Sequence, residues 1–518
     1  MLVGTSAGLF LLMLDSTVVS LSLPSIQQDL NASSDQLQWI INAYLLVLAV
    51  LVITAGRFGD IFGRKRVFLS GFFIFGIGSI VAAAAWTADV LVLARVIMAA
   101  GGAAMLPLSL ALVTYVFPKE EQAKAIGIWT AVSAIALGVG PLVGGVLVEF
   151  DWRLIFLINL PIAAFGVVVT GRAAQEIRDE SSKQTIDWPG LILITVSMTA
   201  IVWALINADD AGWGSIQTLG LLIGGTALMV IFWIVEHRVK NPLVEFALFR
   251  NRPYLGATAA AFGVVAMYWT LIFYEPQYLQ NILDYSPIEA GILVLPITVP
   301  MIVISPFSGR IMAVAGAKVT MTLGMVLGVI GLVILTQISE ASGYGILFPG
   351  LLAIGLSFAL VYAPMSTAAM AAMPKAKAGI ASGALAMNRL LAGAVGLALV
   401  GAVFQTLQNN ERESELASSS VDLNEKQKDQ LDGLLAGSEE AKESIPDDPP
   451  GVQQEIFEVA ADVYTFALGN ATWVLVGIMA VCTVLTFWLV EPKEPTTDVP
   501  EAAETDEHKH HFRGRFHL

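Results

Sequence analysis

The chain is 518 residues long, 56% hydrophobic and only 14% charged, with a formal net charge of −15 and a single cysteine, Cys482. That balance excludes a soluble globular protein of this size, a nucleic-acid binder dependent on a basic surface, and any fold stapled by intramolecular disulfides. Apolar runs of about twenty residues, the length that crosses a bilayer as helix, recur along nearly the whole chain.

Fourteen spans are predicted, at 2–23, 37–55, 67–86, 90–113, 124–147, 154–172, 189–207, 216–236, 254–275, 288–307, 319–338, 346–367, 380–404 and 463–490. The short loops carry Lys and Arg almost wholly after even-numbered spans, with Arg153 the exception on the other side. Basic short loops stay in the cytoplasm, so both termini are expected there and the protein is expected in the plasma membrane.

The first span opens at Leu2 with no basic leader and no cleavable signal, so a native N-terminus that is trimmed or misassigned is expected. Its Asp15 lies eight residues before the outer end, roughly 12 Å deep at a rise of about 1.5 Å per residue. Charge at that depth is costly and needs a reason. Between spans 2 and 3 stands GRFGDIFGRKR, residues 56–66. Gly56, Gly59 and Gly63 permit a tight turn, and Arg57, Arg64, Lys65 and Arg66 hold the joint inside, with Asp60 as its one acid. The order of Gly56, Asp60, Gly63, Arg64 and Lys65 resembles the signature loop between the second and third helices of the major facilitator superfamily of transporters.

Arg95, in span 4, lies roughly 9 Å below its own outer end by the same rise. It therefore shares a depth with Asp15 in one bundle. The two form either a structural ion pair or a proton-carrying acid tuned by burial and a cation. Span 5 contains GVGPLVGG, where Gly138, Gly140, Gly144 and Gly145 allow close helix packing and Pro141 bends the helix.

Further along, Gly309-Arg310, Gly316 and Lys318 repeat Gly56-Arg57, Gly63 and Lys65, with Ala313 in place of Asp60. Both sets follow the second span of a six-span block, which predicts an internal repeat. The expected organisation is an N-terminal six-helix bundle (1–172), a linker with two inserted helices (173–253), a C-terminal six-helix bundle (254–490) and a disordered cytoplasmic tail (491–518). In the second bundle Tyr268, Trp269, Tyr274, Tyr362, Met365 and Met387 are candidate walls of a substrate cavity, suited to adaptable apolar or monocationic ligands. Arg389 reaches the inner interface by snorkelling or serves transport. Span 13 echoes the glycine pattern at Gly393, Gly396 and Gly401.

The external loop 405–462 carries most of the negative charge. Its runs LNEKQKDQLDGLLAG and GVQQEIFEVAADV fit either a helical hairpin over the outer face or a solvated loop. Three clustered histidines near the C-terminus fit a solvated tail.

In order, LDSTVVSLSLPSI around Asp15, WIINAYLL at Trp39–Leu46, LVLARVIMAAGGAAMLP around Arg95, ALGVGPLVGG and WRLIFLINLPI at Trp152–Ile162 resemble the drug:H⁺ antiporter-2 family, the fourteen-span branch of that superfamily. The resemblance spans most of the chain outside 405–462 and the tail. It implies an all-α membrane protein of the major facilitator fold, with two six-helix bundles plus two inserted helices. By the same resemblance Asp15 is a coupling acid, Arg95 its partner in proton relay, Asp60 and Arg64 a conformational latch, and the Gly-Pro helix an antiporter marker. Ser20 departs from the family's usual asparagine. Glu275 and Glu289 stand only near outer ends, which argues against export of dications.

The expected function is proton-driven export of amphiphilic drugs, or of other small hydrophobic or monocationic compounds, by alternating access. One alternative keeps the fold and exports an endogenous lipid, siderophore or antibiotic. A polytopic enzyme or sensor would need a polar catalytic cluster, and no His-Asp, Ser-His or phosphate-loop constellation is present. Not an enzyme, the chain is expected to use the proton gradient without a cofactor or metal. Its expected partners are substrate, protons and lipid, with a monomer favoured.

Overall fold

A backbone buried in lipid must satisfy every N–H and C=O within its own segment, so an apolar run that crosses a bilayer folds as helix. The computed structural model of this chain describes residues 1–117, 119–176, 186–239, 242–339, 343–373, 378–418, 423–435, 444–445 and 448–491, and a helix meets every predicted span. The first block is α1 (Leu2–Leu30), α2 (Ser34–Phe62), α3 (Arg64–Ala83), α4 (Ala88–Val116), α5 (Lys119–Phe150) and α6 (Leu154–Leu157 with Asn159–Ala173). Two further helices follow, α7 (Trp188–Ile206) and α8 (Ile216–Glu236). The second block is α9 (Arg252–Gln277), α10 (Pro287–Leu293 with Leu295–Ala315), α11 (Ala317–Leu335), α12 (Gly343–Ala371), α13 (Ala378–Ser418) and α14 (Pro450–Leu489). The two parts of α10 meet at a bend of 47°. Side-chain oxygens start many of them: Ser33 and Gln36 form a capping box at α2, and Thr87, Asp187, Ser215 and Asn251 cap α4, α7, α8 and α9.

Within the first block α4 packs on α2 and α3, and α1 packs on α4, α5 and α6. The second block repeats the plan around α9, which touches α12, α13 and α14. The blocks meet along α2 against α13, α5 against α10, and α1 against α9. The inserted pair packs on itself, and α7 also leans on α2 and α13. Most of α8 faces outward, with Ile216, Ile223, Val230 and Trp233 exposed, as befits a lipid-facing helix.

The predicted repeat has a backbone counterpart. Gly63 (φ 107°) and Gly316 (φ 85°) each end one helix and begin the next, and each N–H returns to the residue four before it. Positive φ at both hinges is why glycine stands at both.

On the face opposite the 56–66 joint, α13 and α14 run well past the predicted spans. The acidic run of the 405–462 segment supplies a separate helix, Glu425–Leu435. Leu423, Leu431, Leu434, Ile445, Ile456, Val459, Ala460 and Val463 form a small apolar core of their own, and Arg412 pairs with Asp432. This helical cap realises the hairpin alternative, while the rest of that segment, the acidic tail and its histidines lie outside the described residues.

Candidate functional site

Asp15 and Arg95 meet inside the first block. Arg95 Nη1 stands 2.6 Å from Asp15 Oδ2, and both side chains are at most 1% exposed. The other carboxylate oxygen accepts from Asn159 Nδ2 at 3.0 Å, and that amide also lies 3.3 Å from Ser79 Oγ. Arg95 Nε donates to the Ile40 carbonyl at 3.2 Å, and its guanidinium sits 4.0 Å above the Tyr44 ring. Groups from α1, α2, α3, α4 and α6 thus converge on one ion pair. Removing two charges from water costs several kcal/mol each, and only such additional hydrogen bonds and contacts offset it.

Sequence reasoning named the acid and the arginine but neither Asn159 nor Tyr44. Both lay inside quoted stretches, INLP and NAYL, and the signal was a lone polar group in an apolar helix. Asn159 lies on α6 next to Ile158, which keeps helical dihedrals and donates its N–H to the Leu154 carbonyl at 2.9 Å. On α2, the same helix as Tyr44, Asn42 is fully buried, and among the described residues neither amide atom has a hydrogen-bond partner.

The glycines of α5 divide between two neighbours. A Cβ at Gly140 would collide with Thr17, and one at Gly144 would stand 3.2 Å from the Val18 carbonyl oxygen, so these two face α1 just past Asp15. A Cβ at Gly138 would collide with Ile302, and one at Gly145 would stand 2.6 Å from the Pro287 carbonyl oxygen, so these two face α10. The Pro141 carbonyl in turn abuts Gly291. The helix is therefore a thin wall between the ion pair and the seam of the two blocks.

At the joint, Asp60 Oδ1 accepts from Arg64 Nε at 2.9 Å, with Nη2 at 2.8 Å. Glu176, beyond α6, accepts the Lys65 backbone N–H at 3.1 Å and lies 3.5 Å from Arg66 Nε. Lys65 Nζ donates to the Gly171 carbonyl at 2.8 Å. Arg57 turns the other way and donates to the Pro242 carbonyl at 2.9 Å, beside the acids of the inserted pair. Those acids are Asp187 and Glu236, both buried, which face each other across Gly190. Asp187 caps α7, and Glu236 accepts the Val244 N–H at 2.9 Å. Nothing in the motif pattern pointed to Glu176, Asp187 or Glu236.

The six candidate cavity residues fall in separate places. Tyr268 and Tyr362 sandwich Phe358, with ring centroids 4.7 and 4.6 Å away, and Arg389 lies 5.3 Å from the Tyr362 ring centroid. Trp269 and, from α2, Leu45 both pack at Gly393, and Met365 is fully buried in the main core. Tyr274 joins Phe404 nearer the capped face, whereas Met387 packs with Val50, Leu191 and Phe232 on the joint side. An apolar cavity of about 500 Å³ opens instead between α1, α5 and α6, lined by Ala7, Phe10, Val132, Pro161 and Phe165.

Comparison with known proteins agrees with this architecture. Residues 5–397 match the sequence profile of the Major Facilitator Superfamily. The chain is 35% identical over 404 residues to "Multidrug resistance protein Stp" of Mycobacterium tuberculosis, covering 78% of this chain and 75% of that one. It is 34% identical over 401 residues to the "Tetracenomycin C resistance and export protein" of Streptomyces glaucescens, covering 77% and 74%. Among solved structures, a bacterial homologue of the lysosomal transporter Spinster, inward-facing and unoccupied, superposes with a TM-score of 0.65 at 15% identity, covering 95% of this chain and 98% of that one. A peptide transporter, POT, in complex with sulfate gives 0.60 at 14%, covering 93% and 95%.

Proposed function

This chain belongs to the major facilitator superfamily, and we propose that it is a proton-coupled antiporter exporting amphiphilic drugs, or other small hydrophobic or monocationic compounds, across the plasma membrane. The observation that carries this reading is the buried contact of Asp15 with Arg95 and Asn159. A carboxylate gripped by a cation and an amide holds α1 in one relation to α4 and α6. Protonation removes the charge that Arg95 binds and weakens that grip.

Two residues beyond Asp15, Thr17 and then Val18 press on the Gly140 and Gly144 face of α5, whose other face meets α10. A proton arriving at Asp15 is thereby coupled to the seam through packed helices that have two arrangements, which is what alternating access requires. The basic joint supports a cytoplasmic position for both termini, and in that orientation proton entry from outside drives substrate out. Similarity to a protein named for export of tetracenomycin C favours, as a second reading, an endogenous amphiphile as cargo on the same mechanism.

Inside-out vesicles with an imposed proton gradient, offered a panel of neutral and cationic dyes, test the proposal. Gradient-dependent uptake that disappears when the gradient is collapsed is expected. Uptake indifferent to the gradient would refute proton coupling.

A further inference from the structure

One buried acid plays no part in the mechanism above. Glu275, in the last turn of α9, is 3% exposed, forms no ion pair among the described residues, and has no hydrogen-bond partner for Oε2. Two more polar atoms beside it are in the same condition. The hydroxyls of Tyr278 and Tyr464 are buried and have no hydrogen-bond partner among the described residues, and Tyr278 lies three residues beyond Glu275, at the end of α9. Buried polar groups are nearly always satisfied, and an acid with two hydroxyls left unpaired at neighbouring positions offers polar atoms to a ligand.

The surrounding surface is aromatic. The Tyr278 and Tyr464 rings stack at 15° with centroids 6.0 Å apart, Phe404 lies 5.2 Å from Tyr464, and Tyr274 lies 4.9 Å from Phe404. The backbone departs from α-helix here as well, since Tyr278–Ile282 forms a π turn, a feature frequent at functional sites. Tyr278 also lines a cavity of about 350 Å³ on the capped face, shared with Ile282, Leu283, Gln454, Phe457 and Glu458.

The position lies beside the closed outer seam. Gln405 donates to Asp35 at 2.7 Å, and Gln280 donates to the Leu21 carbonyl at 3.1 Å, each bond joining the two blocks. We propose that Glu275, Tyr278 and Tyr464 form a recognition site for a lipophilic organic monocation on the exit side of the transporter. One carboxylate matches one positive charge, and π faces attract a cation whose charge is spread over an apolar body. A metal ion is a poor match, because one carboxylate and two phenols supply few hard oxygens. The inference rests on the export reading and specifies which residues select the cation.

Equilibrium binding to purified protein in lipid nanodiscs tests it, with tetraphenylphosphonium as the cationic probe and Nile red as the uncharged one. Glu275→Gln should weaken tetraphenylphosphonium by about tenfold or more and leave Nile red unchanged. Tyr464→Leu should weaken the cation too, whereas Tyr464→Phe, which keeps the π face, should hold it within about twofold. Unchanged cation affinity in Glu275→Gln overturns the site, and so does parallel loss of both probes, which marks a packing defect. A wild type that binds the cation through Glu275 yet shows no gradient-driven transport would refute the export reading and leave the site standing.

Discussion

The carboxylate of Glu176 closes over Gly63 and accepts the N–H of Lys65 at 3.1 Å, so the segment after α6 caps the first turn of α3. An acid at a helix N-terminus satisfies an orphan donor and meets the positive end of the helix dipole. Gly63 itself is at φ 107°, and a Cβ there would stand 2.6 Å from the Glu176 carboxyl carbon. Gly63→Ala should therefore destabilise by about 1–3 kcal/mol from backbone strain alone, plus the displaced cap. Thermal unfolding of Gly63→Ala against Gly63→Ala with Glu176→Ser separates these effects. Full recovery in the double variant would mean that the strain contributes nothing.

Asp60 and Arg64 form a partly exposed pair, and such pairs contribute about 0–1 kcal/mol to stability. Asp60→Asn and Arg64→Ala should leave the melting temperature and substrate affinity nearly unchanged while transport falls. A contact of about 1–3 kcal/mol made in only one conformation shifts the balance roughly 5- to 150-fold. Affinity lost in step with transport would place the joint in the binding site instead.

Much of this architecture was legible because lipid imposes one rule on every span, and length with hydropathy reads it directly. The ends of α13 and α14 escaped because a helix leaving the membrane loses its apolar signal without losing its hydrogen bonds. The common depth of Asp15 and Arg95 followed from helix rise, yet Asn159 as third partner depends on how α6 docks against α1, which no periodicity encodes. Arg57 read as one more inside charge. Its neighbours Asp187 and Glu236 come from the two ends of the inserted pair, some 130 to 180 positions away, and a motif scan compares only near neighbours.

The inserted pair should stabilise the resting arrangement through that contact. Glu236→Leu leaves Arg57 with one fewer acid and frees the Val244 N–H, so a loss of about 1–3 kcal/mol is expected. Hydrogen exchange on α2 and α7 should rise together. Protection unchanged on α2 would show that the pair is an appendage without influence on the joint.

Orientation is open to direct labelling, since Cys482 is buried and silent. Ser414→Cys, exposed on the extended end of α13, should react with an impermeant maleimide on intact cells. Gln175→Cys, exposed beyond α6 on the joint side, should react only after the membrane is opened. The opposite pattern would invert every loop assignment, including the direction of export.

Asp15→Asn is the sharpest test of coupling, but the structure predicts a complication. Asparagine keeps a partner for Asn159 and mimics the protonated acid, yet it leaves Arg95 buried at about 1% exposure without a counter-charge. Removing one member of a buried pair costs about 3–5 kcal/mol, whereas replacing both with neutral groups of similar volume is often nearly neutral. The single variant should therefore melt early, and Asp15→Asn with Arg95→Met should recover most of the lost stability. Both should fail to concentrate substrate against its gradient, since neither can release a proton from position 15. The readout is proton release on substrate addition to purified protein, compared between the wild type and the stable double variant. Release of equal size from both would assign the coupling proton to another group. A double variant as unstable as the single one would show that packing around Tyr44 and Asn159, rather than the counter-charge, holds this site together.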